Sequence, residues 1–432
     1  MSRIFIIRAM SLYAPLVFAL ILWSVRKLGR AEATGALLAT AWNLPALLAV
    51  NLIAMHFDWW DFSVKGGTLF GMPVDLWIGW SAFWGTAAAL MFRNAQLWAV
   101  AIILGIVDMI LMPMCSPVVM LGRKWLIGEC IALFVCMAPG LLLARWTRDR
   151  RNVKRRAFLQ AVCFSGLLVM SIVMVANPGG LHRLMRLSSL SLHSLAILLF
   201  LAMLPGLNAV QEFAVVGQGT PLPFDPPRRL VRSGIYRYIA NPMQSSTALF
   251  LLVVSIAMRS LWLGVACLLT IAYSAGLAYW DEGQDLQQRY GQSFLDYRGQ
   301  VRNWLPRWYP VISRPARIYL AEDCFKCSQM AAFLKSLKPI GLEIVAAEDH
   351  PRRSLERMTY ESAAVEDEGL SALGRALEHV NLGCALLGMA LRLPGVNAAL
   401  QVILDVSGGE PTPVVRRSCE VTGASVSRTE RF

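Results

Sequence analysis

The sequence predicts a polytopic α-helical membrane protein of about nine spans, ending in a small α/β domain. Three observations carry that expectation. Of the 432 residues, 56% are hydrophobic and only 16% charged, with fourteen tryptophans and a mean hydropathy of +0.50. Apolar runs of spanning length, roughly 20 residues each, recur over the first two thirds of the chain. After about residue 310 the runs shorten and alternate with charged segments, as in a water-soluble domain.

Seven runs, at 9–25, 35–55, 73–92, 97–119, 125–144, 157–176 and 187–209, make an N-terminal membrane domain over 1–210. Two more, at 244–258 and 261–280, meet at Arg259-Ser260 and predict a tight helical hairpin, 244–280, inside a domain at 211–310. The first run is long enough to remain as a span, so no cleaved signal peptide is expected. The net charge of +13 follows the positive-inside pattern and does not mark a nucleic-acid partner. With the seven Arg and Lys of 145–156 placed in the cytoplasm, alternation puts fifteen basic residues inside against eight outside. The N-terminus then faces out and everything after Trp280 is cytoplasmic, in a plasma or inner membrane.

Within 1–210, His56, Asp58, Asp61 and Lys65 share a loop with Trp59 and Trp60, which reads as an interfacial loop with an aromatic belt in preference to a substrate entry or a weak metal site. Asp108 lies inside the fourth run. An ionisable group in hydrocarbon is costly unless paired or hydrated, so Asp108 either lines a polar cavity or bonds a neighbouring helix. Asn43, Asn51, Glu129 and His193 are weaker cases. Cys115, Cys130, Cys136, Cys163 and Cys267 sit in apolar runs and read as small buried hydrophobes. No metal site is expected.

The most informative stretch flanks the hairpin. Gly219–Pro227 holds four prolines in nine residues, which excludes a regular helix and predicts a rigid extended crossing. Gly234-Ile235-Tyr236-Arg237-Tyr238 brings aromatic and cationic groups up to Asn241-Pro242, where a helix N-terminus can offer N–H groups to an anion. Asp281 and Glu282 leave the hairpin on the same side. Folding the hairpin back on itself brings its two polar flanks together.

This ordered set, closed by Tyr290-Gly291, Phe294, Tyr297-Arg298 and Trp304-Leu305-Pro306-Arg307, resembles the isoprenylcysteine carboxyl methyltransferase family over about residues 215–310. It is also similar to phospholipid methyltransferases. The resemblance implies S-adenosylmethionine as methyl donor, held by Tyr236, Arg237, Tyr238, Asn241, Pro242, Asp281 and Glu282, with Glu282 also catalytic. It implies a lipid or lipidated carboxylate or amine as acceptor, met in the bilayer. The family's Arg-His/Asn-Pro motif falls on Ala240, Asn241 and Pro242, its following Tyr on Gln244 and its Gly on Ser246. Ala240 and Gln244 thus remove a cation and a ring from the family's pocket.

In the C-terminal domain, 316–405, the strand Arg317–Leu320 leads into Cys324-Phe325-Lys326-Cys327, a helix from about 325 to 338 and the strand Leu342–Val345. A Cys-x-x-Cys after a strand and opening a helix is the redox arrangement in which the helix N-terminus lowers the first thiol's pKa. Cys324 and Cys327 are therefore the expected redox pair. The domain is similar to DCC-type thiol-disulfide oxidoreductases, which implies a thioredoxin-like fold; that family's Asp falls on Ala321. The tail, 406–432, has no core-forming pattern. Three other functions fit parts of the chain: a membrane thiol-disulfide oxidoreductase using the hairpin region as scaffold, an NADPH-dependent sterol-reductase-like enzyme, and a non-enzymatic membrane binding protein. Nothing in the sequence fixes the oligomeric state.

Overall fold

In the computed structural model, the backbone is described for residues 3–176, 178–222, 224–409 and 413–414, and the side chains of 178, 179, 181, 277–279, 281, 282, 408 and 409 lie outside the description. Nearly all of the tail, 406–432, falls outside as well. Six helices are long and apolar enough to cross a membrane: Arg3–Val25, Arg30–His56, Leu97–Met114, Trp125–Arg148, Val153–Val175 and Ser189–Val215. A bent pair, Leu382–Leu391 and Pro394–Ser407, passes the same test only if its 80° break is ignored. The other three apolar runs are also helical, as Val74–Met91 around a π turn, Pro242–Met258 and Leu261–Gly276.

The chain divides into two compact units. The first comprises Met1–Ala196, Phe213–Leu230 and Leu251–Leu269. Its core gathers around Leu47, Trp60, Trp77, Trp84, Leu104 and Met137. Small residues let the helices close: a Cβ at Gly79 would lie 1.8 Å from the Ser11 carbonyl oxygen, and one at Gly85 would lie 2.3 Å from Thr40 Oγ1. Such close backbone approach is how apolar helices gain van der Waals contact where lipid offers no hydrophobic drive. The loop carrying Trp59 and Trp60 is more ordered than an interfacial belt requires. Trp60–Phe62 pairs antiparallel with Val119–Leu121, and Trp60 is 4% exposed.

The stretch 219–227 departs from expectation. It closes on itself: Thr220 N–H donates to the Asp225 carbonyl at 2.9 Å, and Arg228 N–H to the Gly217 carbonyl at 2.8 Å. The Asp225 carboxylate pairs with the buried guanidinium of Arg156. The prolines exclude a helix as expected, but this buried ion pair folds the segment into a loop and not into an extended crossing.

The second unit comprises Ile197–Glu212, Val231–Phe250 and Thr270–Phe432. Its sheet holds Ala316–Leu320, Leu342–Ala346, Thr359–Glu361 and Glu366–Glu368. Ala316–Leu320 pairs parallel with Leu342–Ala346 and antiparallel with Thr359–Glu361, which pairs antiparallel with Glu366–Glu368. The helix Phe325–Ser336 makes the crossover between the two parallel strands, and Leu370–Leu377 follows the last strand. Ile318, Leu320, Leu334, Ala376 and Leu377 form the core between sheet and helices.

Candidate functional site

The candidate site lies in the second unit, where the hairpin's two flanks are joined backbone to backbone. Gly234–Arg237 forms a 3-10 turn. Gly234 has φ +60, and a Cβ there would lie 2.5 Å from Asn208 Oδ1, so glycine is required. Asn208 Oδ1 instead accepts the Ile235 N–H at 2.9 Å. The chain then runs beside residues 302–311. Ala240 N–H donates to the Arg302 carbonyl at 2.9 Å, Asn241 N–H to Asn303 at 3.2 Å, Arg307 N–H to Tyr238 at 2.9 Å and Val311 N–H to Arg237 at 3.0 Å. Tyr297 Oη donates to the Tyr236 carbonyl at 2.9 Å. The two polar flanks therefore meet.

Asn241 and Pro242 open the helix Pro242–Met258. Its first intrahelical bond runs from Ser245 N–H to the Asn241 carbonyl, 3.1 Å, which leaves the N–H groups of Met243 and Gln244 in the unbonded first turn. Ser246, at the family's glycine position, accepts the Gly206 N–H at 2.8 Å and is used in helix packing. Asp281 and Glu282 fall at the start of the helix Tyr279–Tyr290, immediately after the π turn Ser274–Ala278. π turns inside helices frequently mark functional positions. The side chains of the acidic pair themselves lie outside the described residues.

Tyr236, Arg237 and Tyr238 are all buried. Tyr238 Oη donates to the Glu378 carbonyl at 2.9 Å. Arg237 Nη2 donates to Tyr360 Oη at 3.2 Å, while its Nη1 has no hydrogen-bond partner among the described residues. Tyr360 Oη in turn bonds His379 Nε2 at 2.9 Å, and His379 Nδ1–H donates to the Ile340 carbonyl at 2.8 Å. That chain of donors requires a neutral imidazole. Burial, and then the Arg237 charge, hold its pKa down at about 2.

Sequence reasoning missed the charged cluster behind this segment. Glu212, at the C-terminal end of Ser189–Val215, accepts from Arg375 Nη1 at 2.7 Å and from Arg392 Nη2 at 2.5 Å. Ser233 Oγ also donates to it. Arg392 reaches Glu378, and Arg375 Nε reaches Asp367 at 2.8 Å. Glu212, Arg375, Glu378 and Arg392 are each 3% exposed or less. Burial works to lower the Arg375 pKa, but the charges of Glu212, Glu378 and Asp367 outweigh it and raise the value. Nothing local in the sequence links Glu212 to arginines more than 160 residues away.

Residues 191–293 match the phospholipid methyltransferase family. The match takes in most of the helix Ser189–Val215, the loop 219–227, the Tyr236–Pro242 segment, the hairpin and the acidic pair. It begins upstream of the segment read from sequence, 215–310, and stops before Trp304–Arg307. It covers under a quarter of the chain, and it supports a membrane-bound methyltransferase. Glu212 lies within the matched residues. No curated protein and no solved structure matches the chain.

Cys324 caps the helix Phe325–Ser336, and Ser328 N–H donates to its carbonyl at 2.9 Å. Both thiols are free and half-buried. Hydrogen bonds from the Cys327 backbone and thiol, and then Lys326, lower the Cys324 pKa. Burial and the neighbouring Cys324 push Cys327 up to about 11. Both shifts favour the Cys324 thiolate over that of Cys327, and the thiolate is the nucleophile. Iodoacetamide at pH 7 is therefore expected to modify Cys324 faster than Cys327, read by peptide mass spectrometry. Equal rates would contradict the asymmetry.

Proposed function

We propose that the chain is an integral-membrane, S-adenosylmethionine-dependent methyltransferase acting on a lipid or lipidated acceptor. The observation that carries this reading is the joining of residues 237–241 to 302–311, which brings the segment before the hairpin against the segment after it. The match to a methyltransferase family favours it over an NADPH-using reductase or a non-enzymatic binder. The nine-span count, the outside N-terminus and the cytoplasmic C-terminal domain in a plasma or inner membrane belong to the same proposal.

The residues present fit the donor in part. The first-turn N–H groups of Met243 and Gln244 and the unpartnered Arg237 Nη1 suit a carboxylate. Asp281 and Glu282 suit a ribose or ammonium group. Tyr238 commits its hydroxyl to Glu378, so its part is to position the segment. S-adenosylmethionine supplies a methyl group on a sulfonium. What this chain contributes is alignment for an in-line displacement, from which much of the rate comes. A carboxylate acceptor needs no base; an amine must lose a proton first, and Glu282 is the group proposed to take it.

A second reading rests on the thiol pair. The parallel β-α-β unit carrying Cys324 at its helix cap, followed by an antiparallel pair and a helix, supports a thioredoxin-like domain with its own thiol-disulfide activity. The methyltransferase reading is tested by incubating purified protein in lipid bilayers with methyl-labelled S-adenosylmethionine. Label is expected in the lipid or lipidated fraction; its absence with every acceptor class would overturn the proposal.

A further inference from the structure

A separate cavity of about 50 Å³ in the first unit has Trp60, Trp77, Trp80, Trp84, Asp108 and Glu129 in its lining. Asp108 is fully buried and Glu129 is 5% exposed. Trp80 Nε1 donates to Asp108 Oδ1 at 3.0 Å, and Glu129 lines the same cavity. Trp77 Nε1 is tied to the Leu44 carbonyl at 2.8 Å and Trp60 Nε1 to Asn51 Oδ1 at 2.9 Å, which fixes both rings as walls. Two polar atoms of the cavity lining have no hydrogen-bond partner among the described residues: Glu129 Oε1 and Trp84 Nε1, the latter on a side chain only 1% exposed.

We propose that this cavity binds a small primary ammonium compound. Carboxyl groups enclosed by indole rings are the surroundings an organic cation seeks, through ion pairing and cation–π attraction. A metal ion fits less well. No group of three or more His, Cys, Asp or Glu among the described residues is placed to hold one, and hard cations take six or more oxygens. The two unpartnered atoms set a polarity. Glu129 Oε1 accepts from the ammonium, and Trp84 Nε1–H donates to a hydroxyl or a water at the other end. Since a water-sized group needs about 10–15 Å³ of such volume, the cavity takes about four non-hydrogen atoms. That admits a free amino alcohol and excludes a phosphodiester headgroup. The site is independent of the methyl-transfer reading, which concerns other residues.

The test is titration calorimetry of the detergent-purified full chain with ethanolamine and with ethylammonium, with sodium as competitor. Both amines bind saturably, ethanolamine several-fold tighter, and sodium at equal concentration does not displace them. Glu129→Gln weakens both by tenfold or more, and Trp84→Phe abolishes the difference between the two amines. No saturable binding to the unaltered protein, or competition by sodium at equal concentration, overturns the proposal. Should Glu129→Gln fail to fold, Trp84→Phe, which keeps both carboxyl groups, decides alone: an undiminished preference for ethanolamine overturns it.

Discussion

Replacing Glu212 with alanine is expected to destabilise the second unit by about 3–5 kcal/mol, the usual cost of removing one partner from a buried ion pair. The change strands Arg375 and Arg392, both almost wholly buried, with only Glu378 and Asp367 to neutralise them. It also removes the acceptor of Ser233 Oγ, which precedes the turn at Gly234. A domain of ordinary stability, about 5–15 kcal/mol, would lose a large fraction of its margin. Hydrogen exchange in detergent reads this directly: amides of Leu370–Leu377 and of the strand Ala316–Leu320 should exchange faster by a factor of 100 or more, the same energy expressed as a ratio of opening constants. Unchanged protection would show that the cluster is not holding the domain. Because Glu212 accepts from Ser233, next to the turn Gly234–Arg237, the same variant should also loosen the Tyr236–Tyr238 segment that the site needs.

Acid is expected to destabilise the same unit through His379. In the folded state its imidazole resists protonation down to about 2, against a reference of 6.5. Between those values the unfolded chain binds one proton more than the folded chain, so stability falls as pH falls. The contribution is complete above pH 6.5 and is lost at about 1.4 kcal/mol per pH unit below it. From pH 6.5 to 4 that amounts to roughly 3 kcal/mol. Carboxylates titrate over part of the same range, so the informative quantity is the difference from His379→Gln, which removes the proton-binding group. The difference in unfolding free energy between the two proteins should change by about 1.4 kcal/mol per unit below pH 6.5; parallel profiles would contradict the assignment.

The apolar runs were legible because a helix in hydrocarbon must satisfy its own backbone and present apolar side chains on most faces. All nine runs fold as helices, six of them long and apolar enough by themselves to cross. The parallel strands were legible as the short apolar runs Arg317–Leu320 and Leu342–Val345. Thr359–Glu361 and Glu366–Glu368 were not: three residues are too few to show alternation, and the second is wholly acidic. The motif segment 234–242 could be read because its residue types occur in a fixed order. The Glu212 cluster and the tryptophan cavity could not, since each is assembled from positions far apart in sequence whose chemistry appears only on packing. Asp108 was singled out as either a cavity group or a helix-bridging one. It is both, bonded to Trp80 and facing the cavity with Glu129.

The most direct test of the central claim is transfer of labelled methyl groups from S-adenosylmethionine to bilayer lipid or lipidated acceptor by the purified chain, alongside Glu282→Ala. The account predicts label in the acceptor fraction with the unaltered protein and a large loss with Glu282→Ala. Absence of label from carboxylate and amine acceptors alike, or equal transfer by the variant, would contradict it.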